Sequence, residues 1–522
     1  MQQIPFGIQT FKKIRQNNLV YIDKTADIAN LVAQHNAVFL SRPRRFGKSL
    51  LIDTIQDLFE GNKTLFEGLY IADKWNWTTT YPVIKIDFAA GVLHSVDDLK
   101  SRIRKILFDN KQRLQITCEF LDDRDLAGCF ADLISKAHEK YQQPVVVLVD
   151  EYDKPILDNI ENVDIAIQMR EGLKNIYSVL KAQDAHLRFV MLTGVSKFSK
   201  VSLFSGLNNL DDITLDATYA TICGYRQVDL ETSFAEHLEE VDWERLKLWY
   251  NGYNFLGESV YNPFDILNFI KKQHTYRSYW FETGTPTFLM KLFAKERYFL
   301  PNLENVEVGD EILDSFDVED IQLETLLFQT GYLTIKQRVE MFGNLRYQLK
   351  IPNQEVRVAL NNHFINVYTA QASVQKYAQQ KRFYTYLMAV DMLGLQQALQ
   401  ALFAGIPWNN FTNNDLPQFE GYYASVLYAF FCSLNAMVIA EDTTNQGQVD
   451  LTIIFDTLIY IIEIKRDTSE TYQVSPENVA LQQLLQKRYF EKYQGQGKEI
   501  VQVGMIFNTV QRNLVQLDWA KP

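Results

Sequence analysis

Short apolar runs alternate with longer stretches of helical period through the first two hundred residues. Ala37-Val-Phe-Leu-Ser41 reads as a strand. From residue 50 to 59 the period becomes that of a helix, with Leu51, Ile55, Leu58 and Phe59 on one side. β-rich runs recur at 83–88, 145–149 and 189–193, separated by helical stretches such as 96–108 and 165–183. Strands alternating with helices predict parallel strands joined by crossover helices, and so a three-layer α/β domain. The unbroken Val145-Val-Val-Leu-Val149 is what a sheet covered on both faces requires.

Past residue 225 the pattern turns more helical and aromatic-rich, with Trp243-Glu-Arg-Leu-Lys-Leu-Trp-Tyr250 and Tyr261-Asn-Pro-Phe264. Two strands are predicted at 331–335 and 345–351, around a turn holding Gly343-Asn344, and helix follows to about 405. Ala404-Gly-Ile-Pro-Trp-Asn-Asn410 and Thr412-Asn-Asn-Asp-Leu-Pro417 read as linker and cap. The expected division is an α/β domain over 1–224, a helical lid over 225–285, an α+β connector over 286–405 and a C-terminal α/β domain over 406–522. No internal repeat or low-complexity tract interrupts it.

At 522 residues the chain is too long for one core. Its 47% hydrophobic and 22% charged residues are those of a folded globular protein. The net charge of −12 argues against a surface that coats nucleic acid. From residue 406 onward 8 Lys/Arg face 13 Asp/Glu, a net of −5, so any nucleic-acid cleft there must be locally basic or metal-neutralised. Cys118, Cys129, Cys223 and Cys432 show no metal-ligand spacing and fit a reducing cytoplasm. The seven histidines form no His-x₃-His pair, which argues against zinc. Met1-Gln-Gln-Ile-Pro5 has neither the basic flank nor the apolar stretch of a signal peptide. Residues 421–440 are uncharged, but Ser425, Ser433 and Asn435 interrupt them and Glu420, Glu441 and Asp442 flank them. That predicts a buried helix running into a strand rather than a membrane span.

The first chemistry-bearing motif is Arg42-Pro43-Arg44-Arg45-Phe46-Gly47-Lys48-Ser49, between strand and helix. A phosphate-binding loop needs backbone N–H groups aimed at phosphate, a lysine for the β- and γ-phosphates and a hydroxyl for Mg²⁺. Gly47, Lys48 and Ser49 supply the last part. Arg42 stands where such a loop has its first glycine, and Pro43 lacks an N–H, so the residues alone also fit a basic surface turn. Arg42, Arg44 and Arg45 fit phosphate or nucleic-acid contacts and fit solvated side chains equally well. The run 145–149 ends in Asp150-Glu151, which suits a Mg²⁺-associated carboxylate beside a water-polarising base, or an N-cap pair on the next helix. Thr193, before Gly194 and Ser196, is placed to sense a γ-phosphate or simply ends a strand.

In order along the chain, Ile4-Pro-Phe-Gly7, Tyr21-Ile-Asp-Lys-Thr25, the Arg42–Ser49 motif, Asp150-Glu-Tyr-Asp-Lys-Pro155, Thr193-Gly-Val-Ser196, Tyr250-Asn-Gly-Tyr253 and Tyr261-Asn-Pro-Phe264 resemble the predicted AAA-ATPase-like family of bacterial proteins. The Arg-Pro-Arg-Arg-Phe-Gly-Lys-Ser form of the loop is usual in that family. The resemblance covers roughly the first half. It implies a P-loop fold that binds ATP through Lys48 and Ser49, with Asp150 and Glu151 in the Mg²⁺ and water-activating roles. The nucleotide-binding set expected is Arg44, Arg45, Gly47, Lys48, Ser49, Asp150 and Thr193, with Ser49 and Asp150 serving the metal.

The second motif lies on two β-type runs, 449–455 and 458–465, separated by Asp456-Thr457. A two-residue loop sets Phe455 against Leu458 and Asp450 directly across from Glu463, with Cβ atoms about 4.5–5.5 Å apart. Alternation puts Lys465 on the Glu463 face. Opposed carboxylates repel unless a cation such as Mg²⁺ lies between them. The same residues also fit a solvated hairpin face. Glu420 opens a helix before the hairpin, and after it Gln483 and Lys487 share a helix face. A Glu, an Asp, a Glu-x-Lys and a helix with Gln and Lys, in that order, resemble the PD-(D/E)XK nuclease superfamily in the version fused behind AAA-ATPase-like domains. The resemblance covers about 415–495. It implies a restriction-endonuclease-like fold, Asp450 and Glu463 as Mg²⁺ (or Mn²⁺) ligands, Lys465 as the catalytic lysine, and Glu420 and Gln483 as accessory residues.

The combined expectation is a multidomain α/β protein of the bacterial cytoplasm. ATP binding or hydrolysis would gate Mg²⁺-dependent phosphodiester cleavage of DNA or RNA, with Glu151, Asp450, Glu463 and Lys465 catalytic. Arginines supplied between subunits would make it a homo-oligomer, though no residue can be given that role. The competing readings are a nucleotide-dependent switch or scaffold that binds DNA or a protein partner without cutting, and an ATPase motor with a C-terminal clamp.

Overall fold

The computed structural model describes residues 1–117, 125–197, 210–281, 300–309, 319, 322–341, 343–369, 373–406, 420–434 and 436–522. Cys118 and the linker-like segment 407–419 lie outside the described residues. The chain divides into two compact units, Met1–Phe288 with Asn305–Gln354, and Leu289–Glu304 with Glu355–Pro522. Among the described residues no helix is long and apolar enough to cross a membrane.

The first unit is built on β1 (Ala37–Ser41), β2 (Val83–Asp87), β3 (Val145–Asp150), β4 (Leu187–Gly194) and β5 (Asp211–Asp212). All pair in parallel, in the order β2-β3-β4-β1-β5. The connecting helices are α1 (Phe11–Gln16), α2 (Thr25–Gln34), α3 (Lys48–Phe59), α4 (Val96–Leu114), α5 (Leu126–Tyr141), α6 (Lys154–Leu157) and α7 (Val163–Ala182). β3 is buried along its whole length, as its unbroken apolar run predicts. Helix α3 packs on β3 and β4, whereas α4 and α5 pack on β2 and β3 and, with α7, on one another. Side-chain caps fix the starts of α4 and α7: Ser95 accepts from the Asp98 N–H and Asn162 from the Ile165 N–H. The register sets Asp87 beside Asp150 and Ser41 beside Gly194. The loop after β1, Asp150 and Thr193 therefore all emerge at the carboxyl edge of the sheet, where open α/β sheets bind ligands.

Three helices follow, α8 (Gln227–Ser233), α9 (Trp243–Tyr250) and α10 (Pro263–Lys271). Their apolar faces, including Leu230, Leu246 and Phe269, close over Val20 and Ile22 of the N-terminal segment. An antiparallel sheet in the order β6-β8-β7 completes the unit, from β6 (Val306–Gly309), β7 (Thr334–Met341) and β8 (Asn344–Lys350), with α11 (Leu323–Thr330) ahead of β7. The strand expected from residue 331 starts at Thr334 instead. Gly331 has φ 91° and caps α11, so the β-type residues Tyr332 and Leu333 finish a helix end. Strand β6 carries too short an alternation to be read from sequence.

The second unit carries α12 (Gln354–Thr369), α13 (Ser373–Met388), α14 (Met392–Ala404) and α15 (Glu420–Cys432), then β9 (Met437–Thr444), β10 (Gly447–Ile454), β11 (Leu458–Asp467), α16 (Val479–Lys487), β12 (Glu499–Asn508) and β13 (Asn513–Ala520). The sheet order is β13-β12-β11-β10-β9, with only β11 and β12 parallel. Residues 421–440 thus run from a helix into a strand, as expected. Ile459 and Ile461 pack with Leu484 of α16 on one face, while the Tyr460 hydroxyl donates to the Leu387 carbonyl of α13. Residues on both sides of β11 are buried from Leu458 to Ile464.

Gly252, in the Tyr250-Asn-Gly-Tyr253 motif, is held at φ +121°, and a Cβ there would lie 2.1 Å from the Pro352 carbonyl oxygen. Gly68, at φ +77°, has nothing within 4 Å of the same position. Gly252→Ala is therefore expected to destabilise the protein by about 3 kcal/mol, and Gly68→Ala by only the ~1 kcal/mol of a left-handed alanine. Urea denaturation of the two variants measures the difference.

Candidate functional site

The loop between β1 and α3 is shaped by an arginine rather than by a leading glycine. Arg42 is fully buried. Its Nη1 donates to the Ser41 and Thr214 carbonyls, both at 2.8 Å, and its Nη2 to the Tyr219 carbonyl at 3.1 Å. The guanidinium lies 3.9 Å from the Phe255 ring centre. Burial pushes its pKa down to about 10, which leaves it cationic at neutral pH. Arg42 is neither a solvated nor a phosphate-facing arginine. Arg44 and Arg45 are exposed, the latter over the Phe264 ring at 5.1 Å.

The rest of the loop rests on the helical segment that follows the sheet. Trp280 Nε1 and Asn262 Nδ2 donate to the Arg44 carbonyl at 3.2 and 3.4 Å, and Phe46 packs edge-on against Tyr253. The Asn262 carbonyl group also caps α10 by accepting from the Phe264 N–H. These contacts explain why Tyr250–Tyr253 and Tyr261–Phe264 accompany the loop. Gly47 takes φ 95° as the residue before α3. The first intrahelical bond runs from Leu51 to Gly47, so the N–H groups of Lys48 and Ser49 open the helix without carbonyls of a preceding turn. Lys48 Nζ donates to the Arg42 and Pro43 carbonyls at 2.9 and 3.0 Å. Burial lowers its pKa from the usual lysine range, against the pull of Asp150 and Glu151.

Asp150 ends β3, buried. Its Oδ1 accepts from Thr193 Oγ1 at 2.7 Å and from the Glu151 N–H at 3.1 Å. The Thr193 hydroxyl is thus committed to Asp150, and any influence of Thr193 on a phosphate passes through that carboxylate. Glu151 has φ 51°, an unusual backbone for a non-glycine residue. Burial raises its pKa, with Lys48 opposing. The structure therefore brings Lys48, Asp150, Glu151 and Thr193 together at one sheet edge, beside Ser49 and Gly47.

In the second unit the register Leu451↔Ile462 through Ile454↔Ile459 is the one expected, and the Phe455 N–H donates to the Leu458 carbonyl at 2.8 Å. Just beyond the end of that ladder, Asp450 Oδ2 accepts from the N–H of Ile464, the residue after Glu463, at 2.6 Å. On the neighbouring strand Glu441 has φ 48°, and the unbroken register Val449↔Asp442 and Leu451↔Ala440 sets it beside Asp450. Glu463 is 2% exposed. Its Oε1 accepts from Lys465 Nζ at 2.7 Å and from Gln483 Nε2 of α16 at 2.5 Å. Lys487, on the same helix, is exposed. Glu420 is the first residue of α15, and its side chain lies outside the described residues. Two carboxylates on neighbouring strands, with the half-buried Lys465 ammonium beside one of them, are donors of the type a hard divalent cation takes.

Residues 5–204 match the family described as "Predicted AAA-ATPase", and residues 418–517 match the PD-(D/E)XK nuclease superfamily. The chain is also 46% identical over 516 residues to an "Uncharacterized protein in vnfD 5'region" of Azotobacter chroococcum mcd 1, across 98% of each chain. The chain belongs to the predicted AAA-ATPase-like family, with a C-terminal PD-(D/E)XK nuclease superfamily domain. No solved structure matches it.

In this AAA-ATPase-like protein one residue of the site carries no role in the sequence reading. Asp153 is 1% exposed, and its Oδ2 accepts from the Val195 N–H at 3.0 Å and from the N–H and hydroxyl of Ser196, both at 2.6 Å. Burial raises its pKa and the Ser196 bonds oppose the shift. With the Tyr152 hydroxyl donating to the Ser196 carbonyl at 2.9 Å, it locks the turn after β4 to the turn after β3. A Cβ on Gly194 would sit 2.5 Å from the Tyr152 ring, so the lock needs glycine there. The available signal was the acid three residues past Asp150 in a shared motif.

Arg42→Met keeps the apolar contact with Phe255 but strands the Ser41, Thr214 and Tyr219 carbonyls in the interior. It should cost about 3 kcal/mol or more. Arg44→Ala, at an exposed position, should stay within about 0.5 kcal/mol. Thermal and urea unfolding of the two variants test the contrast.

Proposed function

We propose that this protein is an ATP-dependent nuclease, in which ATP binding or hydrolysis at the N-terminal loop gates phosphodiester cleavage by the C-terminal domain. The observation that carries the reading is the cluster of Glu463, Lys465 and Gln483 facing Asp450, on a chain that also assembles Lys48, Asp150 and Glu151. Two unrelated phosphate-handling centres on one polypeptide invite coupling.

At the nucleotide centre, Lys48 exchanges the carbonyls of Arg42 and Pro43 for the β- and γ-phosphates, and the N–H groups at the start of α3 take phosphate oxygens. Ser49 and Asp150 would hold Mg²⁺. Glu151 receives the proton of the attacking water, its carboxylate made more basic by burial. At the nuclease centre, Asp450 and Glu463 would hold Mg²⁺ or Mn²⁺, which when bound polarises the phosphodiester and lowers the pKa of a water. Lys465 stabilises charge developing on the scissile phosphate. Gln483 fixes the Glu463 carboxylate from α16, and Glu420 serves the same centre as an accessory group. The substrate is DNA or RNA.

Incubation with single- and double-stranded DNA and RNA, Mg²⁺ or Mn²⁺, with and without ATP, tests the reading. Wild-type protein should cleave, and Lys465→Ala should lower cleavage by about 10²-fold or more. Lys48→Ala should remove the response to ATP. Glu151→Gln should keep ATP binding while slowing hydrolysis by about 10²-fold. Cleavage that is unchanged in Lys48→Ala protein with ATP present sinks the coupling. ATP-driven assembly with no cleavage under any divalent ion favours a nucleotide-dependent switch instead.

A further inference from the structure

The buried guanidinium of Arg42 has one edge that the loop after β1 does not use. Nη1 and Nη2 donate to backbone carbonyls, whereas Nε, equally buried, has no partner among the described residues. On α11 the Gln329 side chain, 5% exposed, is satisfied on one side only. Its Oε1 accepts from the Lys197 N–H at 2.9 Å, and its Nε2 has no partner among the described residues. Both side chains line one cavity of about 10 Å³, together with Thr214, Lys197, Phe255 and Phe328. That is room for one water-sized group. Leaving a buried donor unpaired costs its full desolvation, and more when it belongs to a charged group.

The donors at this cavity outnumber the acceptors. The Thr214 hydroxyl accepts from the Ser41 N–H at 3.0 Å and keeps its own proton to donate. Asp212, the nearby carboxylate, is already engaged by Lys197 Nζ and by the Thr214 N–H. A water accepts two hydrogen bonds and must then place two protons of its own, whereas an anion accepts from all three donors and has no proton to place. Arg42 also carries a full charge while bonding only neutral carbonyls. Gln329 stands in the last turn of α11, whose end carries about half a negative charge, less than the whole positive charge of the guanidinium.

We infer that this cavity is a binding site for a single monatomic anion, chloride, held by Arg42 Nε and Gln329 Nε2. The ion supplies the counter-charge that the carbonyl partners of Arg42 do not. It also joins the end of α11 to the loop after β1. Those two segments already lie in contact, since a Cβ on Gly331 would sit 2.7 Å from that of Pro43. Polyatomic anions such as phosphate or acetate exceed the space, so the size of the cavity selects among anions and its donors select against cations.

Two measurements on the full chain test the site. Wild-type crystals grown in sodium bromide, with data collected at the bromine absorption edge, should show an anomalous peak within hydrogen-bond reach of both nitrogens. In solution, replacing sodium gluconate by sodium chloride at constant ionic strength should raise the thermal unfolding midpoint of the wild type by about 2 °C or more. Gln329→Glu keeps an oxygen for the Lys197 N–H and puts a carboxylate in place of the amide donor. It should repel the ion and lose that rise. A water without anomalous signal at this position overturns the proposal. So does an equal chloride response in wild type and Gln329→Glu, which would make any bromide peak an adventitious ion only.

Discussion

A buried arginine holds the phosphate loop in shape. Arg42 sits where a glycine would leave the loop free to choose its own path. Its guanidinium instead bonds three carbonyls, two of them more than 170 residues away in sequence, and lies over the Phe255 ring. An arginine in the interior costs several kcal/mol of desolvation unless its donors are met. Here the bonds from Nη1 and Nη2 and the aromatic face offset part of that cost, Nε being left without a partner among the described residues, and the end of β1 is fixed against the segment that follows β5. The carbonyls of Arg42 and Pro43 are thereby set where Lys48 can rest on them. The lysine is buried and positioned, the form of preorganisation on which the proposed phosphate binding would draw.

The other parts of the nucleotide centre obey the same constraint. Asp150 is oriented by Thr193, and Asp153 by Val195 and Ser196, so the turns after β3 and β4 are tied to each other. The proposed nuclease centre is built in parallel fashion. Glu463 is buried but anchored by Lys465 from its own strand and by Gln483 from α16, while Asp450 is held by a backbone N–H across the hairpin. In each unit, a carboxylate on a strand is fixed by a neighbour from a different element. The chemistry is local, but the geometry needs the whole sheet.

Much of this was legible in the sequence, and what was not has a physical reason. The parallel strands were visible because a doubly covered strand such as β3 has no polar residue to interrupt it. The hairpin register from Leu451↔Ile462 to Ile454↔Ile459 followed from a short loop and simple alternation. Gln483 was legible as a polar residue on the helix after Glu463-Ile-Lys465. Arg42 was not, because Thr214, Tyr219 and Phe255 have no local sequence relation to it. Thr193 was placed at the right edge, but its hydroxyl proved to serve Asp150. Tyr332 and Leu333 have strand propensity, yet Gly331 turns them into the end of α11. Tertiary partners overrode local preference in each case.

The central claim is that one chain carries two separate metal-assisted phosphate centres. Equilibrium titration with Mn²⁺, read by electron paramagnetic resonance in the presence of ATP, tests it most directly. The account predicts two bound ions per wild-type chain, one of them lost in Asp450→Asn and the other lost in Lys48→Ala or when ATP is omitted. A single class of site, or two ions that neither substitution removes, would contradict it.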